Sequence, residues 1–337
     1  MIFSIQAEEK SYDVVIEAGA LREAGKHFCL DRRVLIVTDS GVPLDYAETV
    51  RRQAACGYVY ILPEGEANKD LAHFQEILVF LMEHDFTRKD AMVSVGGGVA
   101  GDLAAFAASC YMRGIDYYCI PTTLAAQGDA SIGGKTAADL LGAKNIVGTF
   151  WQPKGVLVDP DTLKTLPERQ LHAGLSEVIK HGLIGDAALF ECLESTDDLQ
   201  RDLPWIIERS LQVKRRIIEA DPREEGLRKC LNFGHTLGHG LESASKGRLL
   251  HGEAVALGMI PMCTPEVRKR LLPVLLKYGL PVTTDLDPEE DMFFVRHDKK
   301  KQKSNYTTVF VSEIGAFEFR EMQDRELRDA LQEILIK

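Results

Sequence analysis

The stretch AMVSVGGGVAGD, residues 91–102, decides the fold: an apolar run enters three consecutive glycines and leaves into a segment with helical periodicity. Gly96, Gly98 and Gly101 space as G-x-G-x-x-G, and in a strand-to-helix turn such glycines let backbone N–H groups approach a pyrophosphate at the helix N-terminus. A tight packing turn would use the same spacing, so the neighbours decide. Working outward, RRVLIVTD (32–39), YVYILPEG (58–65), DYYCIPTT (116–123) and KGVLVDP (154–160) read as further strands, rich in Val, Ile and Tyr and mostly closed by Gly, Pro or Asp. Residues 70–86 and 99–112 carry helical periodicity between them. MIFSIQAEEKSYDVVIEAG at the start reads as a strand pair. Strands alternating with helices imply a doubly wound, mostly parallel sheet. Asp39 ends an early strand, where its carboxylate could bond a ribose. Asp102 follows the glycines, and Thr122 and Thr123 end a strand on the same sheet edge, so a dinucleotide is expected there.

After Pro160 the pattern changes. From Leu166 to about Tyr278 the chain reads as helices, and YTTVFVSEIGAFEFREM (306–322) as a terminal hairpin. A domain boundary is expected near 150–165, with the active site in the cleft between domains. Glu177, Lys180 and His181 fall at i, i+3 and i+4 on one helix face, as do His235 and His239 in LNFGHTLGHGLE. His251 opens the next helix in HGEA. A lone histidine on an apolar helix is ordinarily a satisfied core residue. Two on one face among Gly234, Gly238 and Gly240 are different, because each helical glycine costs about 1 kcal/mol against alanine and makes sense where a ligand or another backbone comes close. Glu177, His235 and His251 form the two-imidazole, one-carboxylate set of a catalytic zinc with a position open to substrate. A nicotinamide beside such a Lewis acid would serve hydride chemistry on an alcohol. His27, His73 and His84 read as structural.

The composition sets limits. The 337 residues suffice for two cores. No apolar stretch approaches the roughly 20 residues of a membrane span, and the N-terminus lacks a signal-peptide layout. A net charge of −11 disfavours nucleic acid and anionic membranes. An anionic substrate would then need a local basic cluster. Lys135 in SIGGKTA and Lys144 with Asn145 in GAKNIVG lie among glycines that let backbone fold round a small anion; Arg113, Lys214 and Arg228 add positive charge. The seven cysteines are scattered, with no C-x-x-C, and Cys110, Cys119 and Cys263 sit in apolar runs that predict buried thiols in a reducing cytoplasm.

These residues lie within longer motifs: PEGEANK (63–69), GGGVAGDLAAFAASCYMRG (96–114), PTTLAAQGDASIGGKT (121–136), KNIVGTFWQP (144–153), LKTLPERQLHAGLSEVIKHGLI (163–184), LNFGHTLGHGLE (231–242) and HGEAVALGM (251–259), with DKK (298–300) and EIG (313–315) toward the end. In that order, over nearly the whole chain, they closely resemble the 3-dehydroquinate synthase family. The resemblance implies an NAD-binding α/β domain over 1–155, a Rossmann-like doubly wound sheet, and an α-helical metal- and substrate-binding domain over 156–337, in a cytoplasmic homodimer. It implies that Glu177, His235 and His251 hold zinc or cobalt. Asp39, Glu66, Lys69, Gly98, Asp102, Thr122, Thr123, Asp129 and Lys144 would line the NAD site. Lys135, Asn145, Lys180, Lys214, Arg228, Asn232, His239 and Lys299 (or Lys300) would surround the substrate, with Arg113 reaching its phosphate from the partner subunit.

The implied reaction converts 3-deoxy-D-arabino-heptulosonate 7-phosphate to 3-dehydroquinate by transient oxidation, phosphate elimination, re-reduction and intramolecular aldol closure. Aromatic amino-acid and chorismate biosynthesis, through the shikimate pathway, is the implied setting. GDASIGGKTAAD departs from the family pattern V-D-S-S-V-G-G-K-T-G-x-N at Gly128, Ala130, Ala137 and Asp139, and LLGAKN replaces P-L-G-K-N. Asp139 is therefore expected to point away from the anion pocket. The competing readings are a sibling cyclase acting on sedoheptulose 7-phosphate or glucose 6-phosphate, a metal-dependent polyol dehydrogenase that consumes NAD, and a non-enzymatic binding protein. His239 argues against the siblings, and the Lys135, Asn145 and Lys214 group against the dehydrogenase.

Overall fold

The computed structural model describes residues 1–7, 10–298 and 305–336. The chain divides into two compact units, Met1–Leu166 and Pro167–Lys337.

The first unit is a seven-stranded sheet in the order β1-β2-β9-β6-β5-β3-β4. Its strands are β1 (Ile2–Ala7), β2 (Lys10–Ile16), β3 (Arg33–Asp39), β4 (Cys56–Leu62), β5 (Ala91–Gly96), β6 (Asp116–Pro121) and β9 (Gly155–Val158). The β1–β2 pair is antiparallel and the remaining pairs are parallel. β5 is buried from end to end, as its continuous apolar run requires of a strand covered on both faces. The helices are α1 (Ala24–His27), α2 (Leu44–Arg51), α3 (Leu71–Glu83) and α4 (Gly98–Cys110). Asp70 caps α3 by accepting from His73 N at 2.9 Å. The alanines of α4 (Ala100, Ala104, Ala107 and Ala108) are fully buried, and their small side chains let that helix lie close to the sheet. From β3 the chain moves outward to β4 and then returns to the other side of β3 as β5. The strand order therefore reverses between β3 and β5, the place where doubly wound sheets bind ligands.

Three sequence expectations change here. Residues 138–147, which are not among the strands read from the sequence, form a hairpin of β7 (Ala138–Leu140) and β8 (Ala143–Val147). Cys110 is exposed at the end of α4, although Cys119 and Cys263 are buried as expected; the apolar run around Cys110 ends where α4 turns into a 3-10 segment. β9 crosses the position near 155 where the boundary was expected and pairs with β2 and β6, which ties it to the sheet.

The second unit is helical: α5 (Glu168–Gly185), α6 (Ala187–Ser195), α7 (Leu199–Ala220), α8 (His235–Ala244), α9 (His251–Met259), α10 (Pro265–Lys277), α11 (Pro288–Asp298) and α12 (Asp324–Gln332). The terminal hairpin is β10 (Asn305–Glu313) and β11 (Ala316–Gln323). α5 is buried from Ala173 to Ile184, so it is the unit's central helix. Among the described residues no helix is long and apolar enough to cross a membrane.

α11 packs on α8 through Asp291, which is 1% exposed and accepts no hydrogen bond from the described residues. A Cβ on Gly240 would lie 2.5 Å from Asp291 Oδ1, so the glycine admits the carboxyl. Burial pushes Asp291 up to about 8 from an ordinary 3.8. The neutral carboxyl costs nothing at pH 4, and the penalty for ionising it accumulates as pH rises toward 8. Asp291→Asn is therefore expected to raise the melting temperature by several degrees at pH 8 and to leave it unchanged near pH 4. Equal melting temperatures at pH 8 would contradict the assignment.

Candidate metal and cofactor sites

In the second unit, glycines set the distance between three helices. A Cβ on Gly252, the second residue of α9, would lie 1.9 Å from Ala173 O on α5. One on Gly258 would lie 2.0 Å from Gly234 O, and one on Gly238 3.1 Å from Ala254 O, so α8 and α9 also meet backbone to backbone. Gly234 itself has φ +77, a left-handed turn ahead of His235 that favours glycine. Gly234 and Gly238 are thus accounted for by close contact with α9, and Gly240 by Asp291 and Val295 of α11.

This docking brings Glu177 from α5, His235 and His239 from α8, and His251 from α9 to one point. Glu177 Oε1 is 3.2 Å from His251 Nε2 and 3.6 Å from His235 Nε2. One ring nitrogen each of His235, His239 and His251 lies within 4.8 Å of the others, close enough that the three could share a metal ion. The outer ring nitrogens are occupied: His235 Nδ1 is 3.0 Å from Phe233 O, and His251 Nδ1 is 2.9 Å from Glu242 Oε2. Oxygen partners on Nδ1 favour the tautomer that presents the Nε2 lone pair, the usual outer arrangement round a metal-binding histidine. One carboxylate and up to three imidazoles suit a zinc- or cobalt-like divalent cation.

Burial would raise the Glu177 carboxyl, but Lys180, His235 and His251 outweigh it and hold the group well below the usual carboxylate range. Lys180 Nζ is 2.5 Å from Glu177 Oε2. Burial pushes His235 down to about 4, keeping it neutral. Burial would lower His251 as well, but Glu177 and Glu242 push it up to about 10.

Lys180, Lys214 and Arg228 are all buried in this unit, at 1%, 7% and 1% exposure, which is rare for cations that serve only solubility. Arg228 Nη1 donates to Pro222 O at 2.6 Å. Asn232 Nδ2 donates to Glu224 Oε1 at 3.0 Å, and Glu224 holds a left-handed φ of +63, a strained backbone of the kind found near functional sites. Glu224 and Glu242 escaped the sequence reading. Glu242 had a signal, since residues 235, 239 and 242 share one helix face; Glu224 had none. Lys299 and Lys300 lie outside the described residues.

In the first unit, the glycine turn and Asp39 meet at the strand-order reversal. A Cβ on Gly96 would lie 3.4 Å from Asp39 Oδ2 and 2.8 Å from Ala100 Cβ, and one on Gly97 2.9 Å from Thr123 Cγ2. At Gly98, the first residue of α4, a Cβ would meet nothing within 4 Å, so this face of the helix N-terminus is open to a ligand. Burial, with Glu64 adding, raises the Asp39 carboxyl, whose Oδ1 accepts from Gly41 N at 2.9 Å. Lys69, 5% exposed, pairs with Asp102 at 2.7 Å and Glu66 at 3.3 Å. Burial alone would lower that lysine, but Asp102 and Glu66 prevail and keep it charged.

Thr122 and Thr123 follow β6, and Asp129 lies in a π-helical turn over Ala126–Ala130. Lys135, Lys144 and Asn145 are exposed, the last two on β8, where Asn145 N donates to Asp139 Oδ1 at 2.7 Å. Asp139 thus folds back on its own hairpin. Arg113 is exposed after α4 with φ +71.

Two family models cover most of the chain: 3-dehydroquinate synthase N-terminal matches residues 59–173 and 3-dehydroquinate synthase C-terminal matches 174–301. A 3-dehydroquinate synthase from Streptococcus agalactiae is 42% identical over 98% of this chain and 100% of its own length. The chain belongs to the 3-dehydroquinate synthase family. Among solved structures, this family member is similar to a 2-deoxy-scyllo-inosose synthase complexed with carbaglucose-6-phosphate, NAD+ and Co2+, with TM-score 0.89, 24% identity and coverage of 99% of this chain and 100% of the other. It is also similar to 2-epi-5-epi-valiolone synthase from Streptomyces hygroscopicus with NAD+ and Zn2+ bound, with TM-score 0.88, 28% identity and 98% coverage of both chains.

Proposed function

We propose that this chain is a working 3-dehydroquinate synthase, a phosphate-eliminating carbon–oxygen lyase that turns 3-deoxy-D-arabino-heptulosonate 7-phosphate into 3-dehydroquinate. The observation that carries the reading is the convergence of Glu177, His235 and His251 on glycine-docked helices, in a chain of this family. When bound, NAD would accept a hydride from a substrate alcohol and return it, and zinc or cobalt would polarise that alcohol.

Glu177, His235 and His251 would hold the metal, with Lys180 keeping the carboxylate ionised and Glu242 orienting His251. Lys214, Arg228 and Asn232 would bind the substrate carboxylate and hydroxyls, with Glu224 steadying the Asn232 amide. His239, Lys135, Asn145 and Arg113 would orient the phosphate so that its own oxygen can take the neighbouring C–H proton before it leaves. Arg113 would act across a homodimer. Asp39, Asp102, Thr122, Thr123, Asp129 and Lys144 would line the dinucleotide site beside the Gly98 turn, with Lys69 and Glu66 fixing Asp102. A cytoplasmic location suits the free thiols.

The test is phosphate release with NAD and zinc. Release is expected from 3-deoxy-D-arabino-heptulosonate 7-phosphate, is abolished by a chelator and is restored by zinc or cobalt. Release only from sedoheptulose 7-phosphate or glucose 6-phosphate would replace this reading with a sibling cyclase.

A further inference from the structure

Beside the glycine turn, the first unit contains a cavity whose lining includes Gly98, Asp102, Tyr117, Ser131, Lys135 and Trp151. Ser131 is 9% exposed, and its Oγ is buried with no hydrogen-bond partner among the described residues. A buried hydroxyl left without a partner costs free energy, so its position calls for a ligand atom.

The local backbone is built to put it there. Ser131 N donates to Ala126 O at 3.0 Å, an i to i−5 bond that closes the π-turn Ala126–Ala130. Single π-turns recur at functional sites because the extra residue shifts the side chains that follow. The turn is clamped by Gln127, fully buried, whose amide nitrogen lies 3.1 Å from Pro121 O, 2.9 Å from Asp159 O and 3.0 Å from Thr162 Oγ1. Ser131 is thus held on a turn anchored to the ends of β6 and β9.

Sheet order says which part of a ligand it meets. The glycine turn follows β5; Asp39 ends β3 on one side of it, and the segment carrying Ser131 follows β6 on the other. A dinucleotide with its pyrophosphate at the turn and one ribose at Asp39 extends its second nucleoside toward β6. We propose that the Ser131 hydroxyl bonds the nicotinamide-riboside half of NAD. The inference rests on the NAD site proposed above.

The test is calorimetric titration of the metal-loaded enzyme and its Ser131→Ala and Ser131→Thr variants with NAD and with ADP, which lacks the nicotinamide riboside. Loss of one net hydrogen bond is expected to weaken NAD binding to Ser131→Ala roughly fivefold, with ADP binding unchanged and Ser131→Thr close to wild type. Unchanged NAD affinity in Ser131→Ala overturns the assignment. So does equal weakening for NAD and ADP, which would mean that Ser131 supports the turn and not the ligand. If the unmutated enzyme binds no NAD, the underlying cofactor reading fails, and that result is distinct from either of these.

Discussion

Glu177→Gln is expected to release the metal and lower turnover by well over 100-fold while leaving NAD affinity, assigned above to the first unit as a proposal, unchanged. Altering the outer partner of a metal-binding histidine already costs roughly 10–100-fold in affinity, and removing a charged ligand should cost more. The amide also withdraws the counter-charge from Lys180, which is 1% exposed and paired with Glu177 at 2.5 Å. Breaking a buried ion pair on one side costs about 3–5 kcal/mol, so a lower melting temperature should accompany metal loss. Because Glu177 is held well below the usual carboxylate range, the stability it contributes is present through neutral pH and lost as the solution becomes acid. The variant should therefore show a weaker fall in stability on acidification. Metal content after dialysis, read by atomic absorption, checks the first outcome; a variant that retains one equivalent of zinc would remove Glu177 from the ligand set.

Gly252→Ala should be comparably damaging without touching a ligand. The added Cβ would lie 1.9 Å from Ala173 O and 2.6 Å from Ser176 Oγ. The first obstacle is backbone and cannot rotate away, so α9 must move off α5. His251 rides on the neighbouring residue and would be carried away from Glu177. Overpacking alone costs about 1–3 kcal/mol, and the displaced imidazole should add at least a tenfold loss of zinc affinity. Gly25→Ala is the contrast, since its Cβ would meet nothing closer than 3.6 Å; it should leave both melting temperature and metal affinity unchanged. If Gly252→Ala binds zinc like the unmutated enzyme, glycine docking does not set the metal geometry.

Much of this was legible in the sequence, for identifiable reasons. Short apolar runs such as VLIVT and AMVSV alternate with helical stretches, and the doubly wound class follows from that alternation. The glycines round His235 and His239 signalled close approach because nothing else justifies their cost in a helix. What approaches was not legible: it is α9 at Gly234 and Gly238 and Asp291 of α11 at Gly240, long-range contacts that periodicity cannot encode.

The hairpin at 138–147 escaped because ADLLGAKNIV lacks alternation and has its β-branched residues, Ile146 and Val147, only at its end. α11 opens on acidic residues and lacks a clear apolar stripe, whereas Leu327, Ala330 and Leu331 form one on α12 that went unread. The π-turn at Ala126–Ala130 has no sequence signature, so Ser131 became visible only through its buried oxygen, which has no partner among the described residues. Glu224 is similar, because its contact with Asn232 depends on a left-handed backbone at a residue that is not glycine.

The most direct measurement is the number of 3-dehydroquinate molecules formed per NAD when the zinc-loaded enzyme is given excess 3-deoxy-D-arabino-heptulosonate 7-phosphate and a limiting amount of NAD, followed by proton NMR and absorbance at the NADH band. The expected result is many product molecules per NAD, one phosphate for each, and no accumulating NADH. Reduction of the NAD pool with no phosphate released would contradict the cyclase reading and make the chain a dehydrogenase.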